Sequence, residues 1–103
     1  METYHSQLDA LGDPTRRAIL ERLLAEGPLP VSQIASQFPV SRPAISQHLR
    51  TLKDADLVTD RPQGARRVYA INPEAFVALR EYFDRFWTVA LQEFQKQVER
   101  KVQ

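Results

Sequence analysis

Two short helical segments, separated by a break that contains a proline, constrain the fold of this chain more than any other feature. The first covers residues 31–37 and the second covers residues 42–55. Ser41, before the second segment, is a residue type that caps helix N-termini, and Pro43 lies in the first turn, where a missing N–H costs nothing. Apolar residues in the second segment recur at i, i+4 and i+7, namely Ile45, Leu49 and Leu52. The pattern predicts two consecutive helices, the second of them amphipathic.

The outer face of helix 42–55 is polar and basic. Arginine, glutamine and serine side chains can bind the base edges and phosphates of double-stranded DNA. Since any amphipathic helix has a polar outer face, this composition alone favours DNA binding only modestly over a solvated surface. The residues that we expect to contact DNA from this helix are Ser41, Arg42, Pro43, Ser46, Gln47 and Arg50.

The next segment, residues 57–71, has the pattern of a β-hairpin. Two short runs rich in β-branched and apolar residues flank Arg61-Pro62-Gln63-Gly64, which fits a type I turn with proline second and glycine fourth. Arg61, Arg66 and Arg67 cluster around the predicted tip, where they are suited to a phosphate backbone. A hairpin directly after the second helix is a wing. The combination predicts a winged helix-turn-helix that binds DNA.

The charge distribution supports this interpretation independently. Residues 41–68 contain six Lys/Arg and three Asp, a net charge of +3, whereas residues 1–40 have a net charge of −2 and residues 69–103 a net charge of zero. The formal charge of the whole chain is only +1. Phosphate binding requires a local basic patch rather than a basic protein. The middle of the chain is therefore the candidate DNA-binding region.

Three motifs in this order resemble the ArsR/SmtB type of bacterial winged-helix repressor: LGDPTRRAIL at residues 11–20, ISQHL at 45–49 and RRVYAI at 66–71. The resemblance implies a homodimer that binds a palindromic operator through helix 42–55 and the wing 57–71, and usually blocks transcription. Pro39 departs from the family's pattern, because such helix pairs commonly turn through glycine. Proline disfavours helical angles at the residue before it, so we expect the first helix to end by Gln37.

The residue inventory argues against a metal site and against catalysis. Metal-sensing relatives carry a Cys-x-Cys pair that aligns with Pro30 and Ser32, and the chain has no cysteine and two histidines, His5 and His48. We expect His48 to pack and to form a hydrogen bond rather than to act as a base. The three glycines are isolated, so no phosphate-binding loop is present. The sequence predicts no metal, no cofactor and no enzyme.

Length and composition favour one small domain comprising residues 1–103. With 43% hydrophobic residues the chain can bury one modest core. The expected fold class is mainly α with a small β-hairpin, a winged helix-turn-helix of about five helices plus a two-stranded wing. The polar N-terminus and the lack of a long apolar run argue against a secretory signal and a membrane span, so we expect a cytoplasmic protein. Another helix is predicted to begin at Pro14, with Asp13 as its N-terminal cap. Its core stripe is Ile19, Leu20, Leu23 and Leu24.

The C-terminal segment predicts a helix longer than the domain needs for its own core. No helix breaker interrupts the pattern from residue 73 to about residue 100, a length of about 40 Å. Apolar residues recur along it at spacings of three and four, and the small core cannot cover them together with the apolar face of residues 4–11. We therefore expect a two-fold dimer interface. Its predicted residues are Tyr4, Leu8, Leu11, Phe83, Phe86, Trp87, Ala90 and Phe94.

One alternative from another functional class stays open on the sequence alone. A winged helix can act as a protein-interaction module without specific DNA binding, with the aromatic C-terminal helix as its binding surface. A basic wing tip together with a second helix that presents glutamine and arginine favours DNA binding over this alternative. The operator sequence and the existence of a small-molecule inducer are not determined by these patterns.

Overall fold

Five α-helices and three β-strands make up residues 2–102, which the computed structural model describes. In chain order they are α1 Glu2–Leu11, α2 Pro14–Glu26, β1 Leu29–Pro30, α3 Val31–Ala35, α4 Arg42–Asp54, β2 Val58–Gln63, β3 Arg66–Ile71 and α5 Pro73–Val102. The strands form one antiparallel sheet in the order β1-β3-β2. The predicted fold class is confirmed, and the sheet has one strand more than the predicted wing.

The core lies between α2, α3, α4 and the sheet. Its fully buried aliphatic side chains are Ile19, Ile34, Ile45, Leu49, Leu52, Leu57 and Val58. The apolar face predicted for the second helix of the pair is therefore confirmed. Leu24 was predicted in the core, but it is 78% exposed. At 100° per residue Leu24 lies 40° beyond Leu20, at the edge of the packed face of α2, where it stays uncovered.

Arginine side chains close the junction between α1 and α2. Asp13 Oδ2 accepts a hydrogen bond from the Arg16 N–H at 2.9 Å and caps α2. The Arg16 Nε–H donates to Ala10 O at 2.7 Å, and the Arg17 guanidinium donates to Leu11 O at 2.7 Å. Because the last carbonyls of a helix lack intrahelical partners, these bonds satisfy the end of α1 and set the angle at which α2 leaves it.

Strand β1 was not predicted, because its two residues lie in a proline-bracketed link. Leu29 pairs with Tyr69, and Pro30 pairs with Val68 in β3. A proline is tolerated here because β1 is an edge strand, in which not every N–H must donate. This short pairing attaches the start of α3 to the base of the wing.

The turn of the wing lies two residues later than predicted. Pro62 belongs to β2 and pairs with Arg67, and the last pair, Gln63 with Arg66, leaves a two-residue loop. Gly64 begins this loop with a φ of +62°. A positive φ at the first loop position is the requirement of a type II′ hairpin turn, which suits the twist of two strands better than a type I turn does.

The break between α3 and α4 follows from Pro39, as predicted. Helix α3 ends at Ala35, before Gln37, and the chain tightens into a turn in which the Gln37 N–H donates to Ile34 O at 3.1 Å. Phe38 packs against the core. A glycine is not needed at this corner because no residue between α3 and α4 has a positive φ.

Only the first part of α5 packs on the rest of the protomer. Ala75 and Leu79 are buried, and Tyr82 stacks on Tyr4 of α1 with ring centroids 4.9 Å apart. Every residue from position 83 to position 102 is exposed. The protomer is therefore elongated, 67 Å by 27 Å by 22 Å, with the distal part of α5 standing away from the core.

Candidate nucleic-acid interface

Helix α4, the reader helix, is stabilised at both ends by local hydrogen bonds. Ser41 Oγ accepts from the Ala44 N–H at 3.2 Å, which confirms the predicted cap. At the other end the Asp56 N–H donates to Lys53 O at 2.9 Å and the Leu57 N–H donates to Leu52 O at 3.0 Å, the two bonds of a Schellman motif. These hydrogen bonds define the residues at which the reader helix begins and ends.

The reader helix presents its predicted face to solvent. All six residues that the sequence assigned to DNA contact from this segment are exposed: Ser41, Arg42, Pro43, Ser46, Gln47 and Arg50. The opposite face of α4 packs in the core through three fully buried residues, Ile45, Leu49 and Leu52. Ser41 Oγ accepts in the helix cap, so its O–H remains able to donate a hydrogen bond to a phosphate oxygen.

The three wing arginines do not form one cluster, because the hairpin places them on two faces. Residues that pair across an antiparallel hairpin share a face, and faces alternate along each strand. Arg61 pairs with Val68 and Arg66 with Gln63, so Arg61 and Arg66 lie on one face. Arg67 lies on the other. All three are exposed, but only Arg61 and Arg66 present a common basic surface.

Arg67 takes part in an ion-pair network at the base of the wing. The Asp60 carboxylate accepts from Arg67 Nε at 2.8 Å through one oxygen and from Lys53 Nζ at 2.9 Å through the other. The side chain of Asp60 is only 6% exposed, whereas its two cationic partners are about half exposed. Because Lys53 belongs to α4, this carboxylate links the reader helix to both strands of the wing.

The two cations keep the Asp60 carboxylate ionised. The hydrogen bond from Lys53 and the guanidinium of Arg67 lower the pKa of Asp60 below its ordinary value, although partial burial acts in the opposite direction. The link is therefore fully charged at neutral pH. A carboxylate that contacts two cations is held in place more firmly than one in a single exposed ion pair. Such an exposed pair contributes close to zero net stability.

Lys53 and Asp60 were not predicted as parts of the site. They entered only the charge balance of residues 41–68, where Asp60 counted against phosphate binding. A signal was present in the hairpin: Asp60 and Arg67 lie diagonally on one face once the register is known. The predicted turn had the wrong register, so this proximity was not visible.

His48 packs as the sequence indicated, but the predicted hydrogen bond is not formed among the described residues, because its nearest acidic group lies beyond hydrogen-bond distance. It lies half-buried on the inner edge of α4, with Nδ1 3.9 Å from Asp13 Oδ2. The hydrogen bond from the Arg16 backbone lowers the pKa of Asp13, and His48 adds to this effect against partial burial of the carboxylate. The contact connects the reader helix to the cap of α2 and does not face the predicted DNA surface.

The described residues offer no ligand cluster for a metal ion. Within residues 2–102 there is no group of three or more His, Cys, Asp or Glu side chains that could hold one. In the same range no helix is both long enough and apolar enough to cross a membrane.

Most of the predicted dimer residues belong to one surface, and Leu11 and Phe94 lie elsewhere. Leu8 of α1 and the middle of α5 line one shallow apolar depression, whose α5 residues are Tyr82, Phe83, Phe86, Trp87 and Ala90. Phe86 and Trp87 are 58% and 64% exposed. Tyr4 lies at the edge of this surface and already packs on Tyr82 within the protomer. Leu11 instead lines a separate groove with α2, and Phe94 lies further along α5.

Comparison with known proteins places these features in a family context. A family model described as a helix-turn-helix domain matches residues 11–61. The HTH-type transcriptional regulator Rv2034 of Mycobacterium tuberculosis is 58% identical over 94 residues, which cover 88% of this chain and 87% of that protein.

Two solved structures extend the comparison to the fold. An ArsR family transcriptional regulator, RHA00566, is 34% identical, with a TM-score of 0.77 over 85% of this chain and 90% of that one. A homodimeric winged helix-turn-helix DNA-binding domain from Mycobacterium bovis, described as a possible ArsR-family regulator, is 30% identical with a TM-score of 0.66. It covers 86% of this chain and 79% of that one.

Proposed function

Because the chain belongs to the ArsR family of winged helix-turn-helix transcriptional regulators, we propose that it is a metal-independent homodimeric repressor that binds a palindromic operator. In this proposal α4 enters the major groove, where Gln47 and Arg50 contact base edges. Arg42 at the helix start and Arg61 and Arg66 on the wing contact phosphates. Ser41, Pro43 and Ser46 complete the contact surface, whereas Arg67, predicted as a DNA contact, lies on the other face of the wing and positions it through Asp60.

The observation that carries the proposal is the fixed relation between the reader helix and the wing. Both present exposed polar and basic side chains, and Asp60 ties them together through Lys53 and Arg67. A pre-organised surface loses little conformational entropy on binding, so its contacts contribute more fully to affinity. A protein-interaction module has no need for a basic wing held in register with a polar helix.

Homodimerisation is supported by the uncovered apolar surface and by a relative. In the depression formed by Leu8 and the middle of α5, Phe86 and Trp87 are 58% and 64% exposed, and contiguous exposed apolar side chains are typical of interaction surfaces. The domain from Mycobacterium bovis is described as homodimeric. A two-fold axis through this surface would present two reader helices, and a palindromic site has half-sites about 34 Å apart.

The residue types at two positions support repression without a metal. A dimer that covers a promoter excludes polymerase from it by occupancy alone. The positions that align with the metal-binding cysteines of relatives are Pro30 and Ser32, and neither side chain is a thiolate ligand. Binding to chromosomal DNA also requires that the protein work in the cytoplasm.

Selection of genomic fragments by the full chain, followed by fluorescence anisotropy on the enriched duplex, tests this proposal. We expect a palindromic site bound with strong salt dependence, because a dimer that neutralises six or more phosphates loses about three decades of affinity between 50 and 200 mM salt. Zinc or arsenite at micromolar concentration should leave the affinity unchanged. Failure to enrich any sequence, together with an affinity insensitive to salt, would favour the interaction-module alternative.

A further inference from the structure

Two apolar surfaces of the protomer lie uncovered and far from each other. The first, the α2 groove, has a volume of about 420 Å³ and lies between α1, α2, the end of β3 and the start of α5. Its apolar lining consists of Leu11, Leu20, Leu24, Ile71 and Phe76. The second, the distal stripe, is the apolar side of the last turns of α5. Its residues are Phe94, Val98 and Val102.

Neither surface can cover the other within one protomer. Phe76 in the groove and Val98 in the stripe belong to the same helix, and 22 residues of α-helix span about 33 Å. The side chains of Leu24 and Phe94 remain 78% and 63% exposed as a result. An apolar groove and an apolar helix stripe on one chain are complementary in chemistry, so a second copy of the chain can cover both.

The register of the expected dimer brings the two surfaces together. Residues 83–90 form the middle of the predicted interface, and their midpoint lies between Phe86 and Trp87. A two-fold axis perpendicular to α5 at that point, with the two helices packed nearly antiparallel, places each position beyond the midpoint beside the position equally far before it. Phe76 is ten residues before Phe86 and therefore faces residue 97, next to Val98.

We propose that, in the homodimer, the distal stripe of each α5 fills the α2 groove of the partner subunit. This inference rests on the homodimer of the proposed function and adds a second contact outside its central surface. Leu11 supports the continuity of the two contacts, because it belongs to the groove and also to α1, which borders the central depression. The symmetry forms the contact twice in each dimer.

The contact has a consequence for DNA binding. The α2 groove includes Ile71, the last residue of β3, and thus touches the base of the wing. A partner helix seated there fixes the orientation of the whole winged domain relative to the two-fold axis. It thereby sets the distance between the two reader helices.

Cysteine cross-linking tests the proposal on a clean background, since the chain has no cysteine of its own. Leu24→Cys is combined with Phe94→Cys, Val98→Cys or Val102→Cys in the full chain. The matched control combines Leu24→Cys with Lys96→Cys, which lies on the opposite side of α5 from Val98. We expect covalent dimers, under air oxidation or with a short bifunctional thiol reagent, to form at least tenfold faster for one of the stripe pairs than for the control.

Sedimentation of the reduced proteins separates the possible outcomes. A dimer with stripe-selective cross-linking supports the inference. A dimer without selective cross-linking overturns the inference and leaves the homodimer of the proposed function intact. A monomer overturns both.

A charge in the groove gives a second readout that does not depend on disulfide geometry. Leu24→Glu should weaken dimerisation at least tenfold, whereas Ala25→Glu, an exposed neighbour outside the groove, should not. The folded protomer should tolerate both changes because Leu24 is already exposed. Unchanged dimerisation of Leu24→Glu would overturn the proposed contact between the groove and the partner's distal stripe.

Discussion

Asp60 Oδ2 lies 2.8 Å from Arg67 Nε, and this ion pair joins the two strands of the wing on the side that faces the reader helix. The second oxygen of Asp60 accepts from Lys53 of that helix. An acidic residue in the middle of a basic surface therefore has a positioning role. It reduces the net positive charge by one but holds two cations in place, and this exchange has testable consequences.

Asp60→Asn should weaken operator binding by roughly tenfold, equivalent to about 1.4 kcal/mol, although the change makes the protein more basic. The reason is that the wing loses its connection to α4 and must be ordered on binding. The control in the anisotropy titrations is Asp54→Asn. Asp54 is an exposed residue at the end of α4 that forms no ion pair in the described structure. Tighter binding by Asp60→Asn would mean that Asp60 acts only as an opposing charge.

The contribution of the Asp60 link to stability should be lost in acid. Its pKa is lowered in the folded state by Lys53 and Arg67, so the link stabilises the fold at and above the ordinary aspartate pKa of about 3.9 and is lost as pH falls through the lower folded value. Urea unfolding of the wild type and Asp60→Asn at fixed protein concentration should differ by a constant amount between pH 5 and pH 8. The difference should shrink below pH 4. A difference that persists at pH 2 would contradict this linkage.

Base readout and phosphate contact should be separable by substitution. Gln47→Ala or Arg50→Ala should reduce discrimination at particular base pairs by about 1–3 kcal/mol, because each removes hydrogen bonds to base edges. Arg66→Ala should instead weaken all duplexes similarly and lower the salt dependence. Titrations against single-base variants of the operator measure both effects, with Gln63→Ala as the wing control. Base preference that changes with Arg66 rather than with Gln47 would place the wing, not α4, against the bases.

Phe86→Glu should abolish dimerisation and operator binding while the helical content survives. Phe86 is 58% exposed in the protomer, so the glutamate is solvated there, whereas burial of its charge at the centre of an interface costs several kcal/mol. Sedimentation equilibrium, circular dichroism and anisotropy are measured together. Gln95→Glu, on the opposite side of α5, is the control and should remain dimeric. A monomeric wild type that binds its operator tightly would refute the two-fold interface.

Asp56→Gly should stabilise the fold by about 0.5–1 kcal/mol. Asp56 has a φ of +62° at the end of α4, a conformation that glycine adopts without a steric penalty. The melting temperature should rise by roughly 2–8 °C at fixed concentration. Asp56→Ala removes the same charge but keeps a Cβ that disfavours this φ, so equal stabilisation by both variants would attribute the effect to charge instead of the backbone.

Local patterns were sufficient to predict much of the fold and of the site. Ser41 and Asp13 cap their helices as predicted, and Pro39 ends the first helix of the pair at the expected place. These features depend on residues a few positions apart, so the sequence contains the whole interaction. The reader helix and its exposed face could be predicted for the same reason, because the helical period links the buried stripe to the opposite face.

The sequence by itself determined the helices, the presence of a wing and the chemistry of the exposed reader face, since caps and periodicity act over one or two turns. Only the tertiary structure decided the third strand, the register of the wing and the network around Asp60. Leu29 becomes a strand residue because Tyr69, forty positions later, is available as its partner. Asp60 forms an ion pair with Lys53 because α4 packs on β2. Such contacts join residues whose separation is set by packing of the core, and no local pattern in the chain encodes that distance.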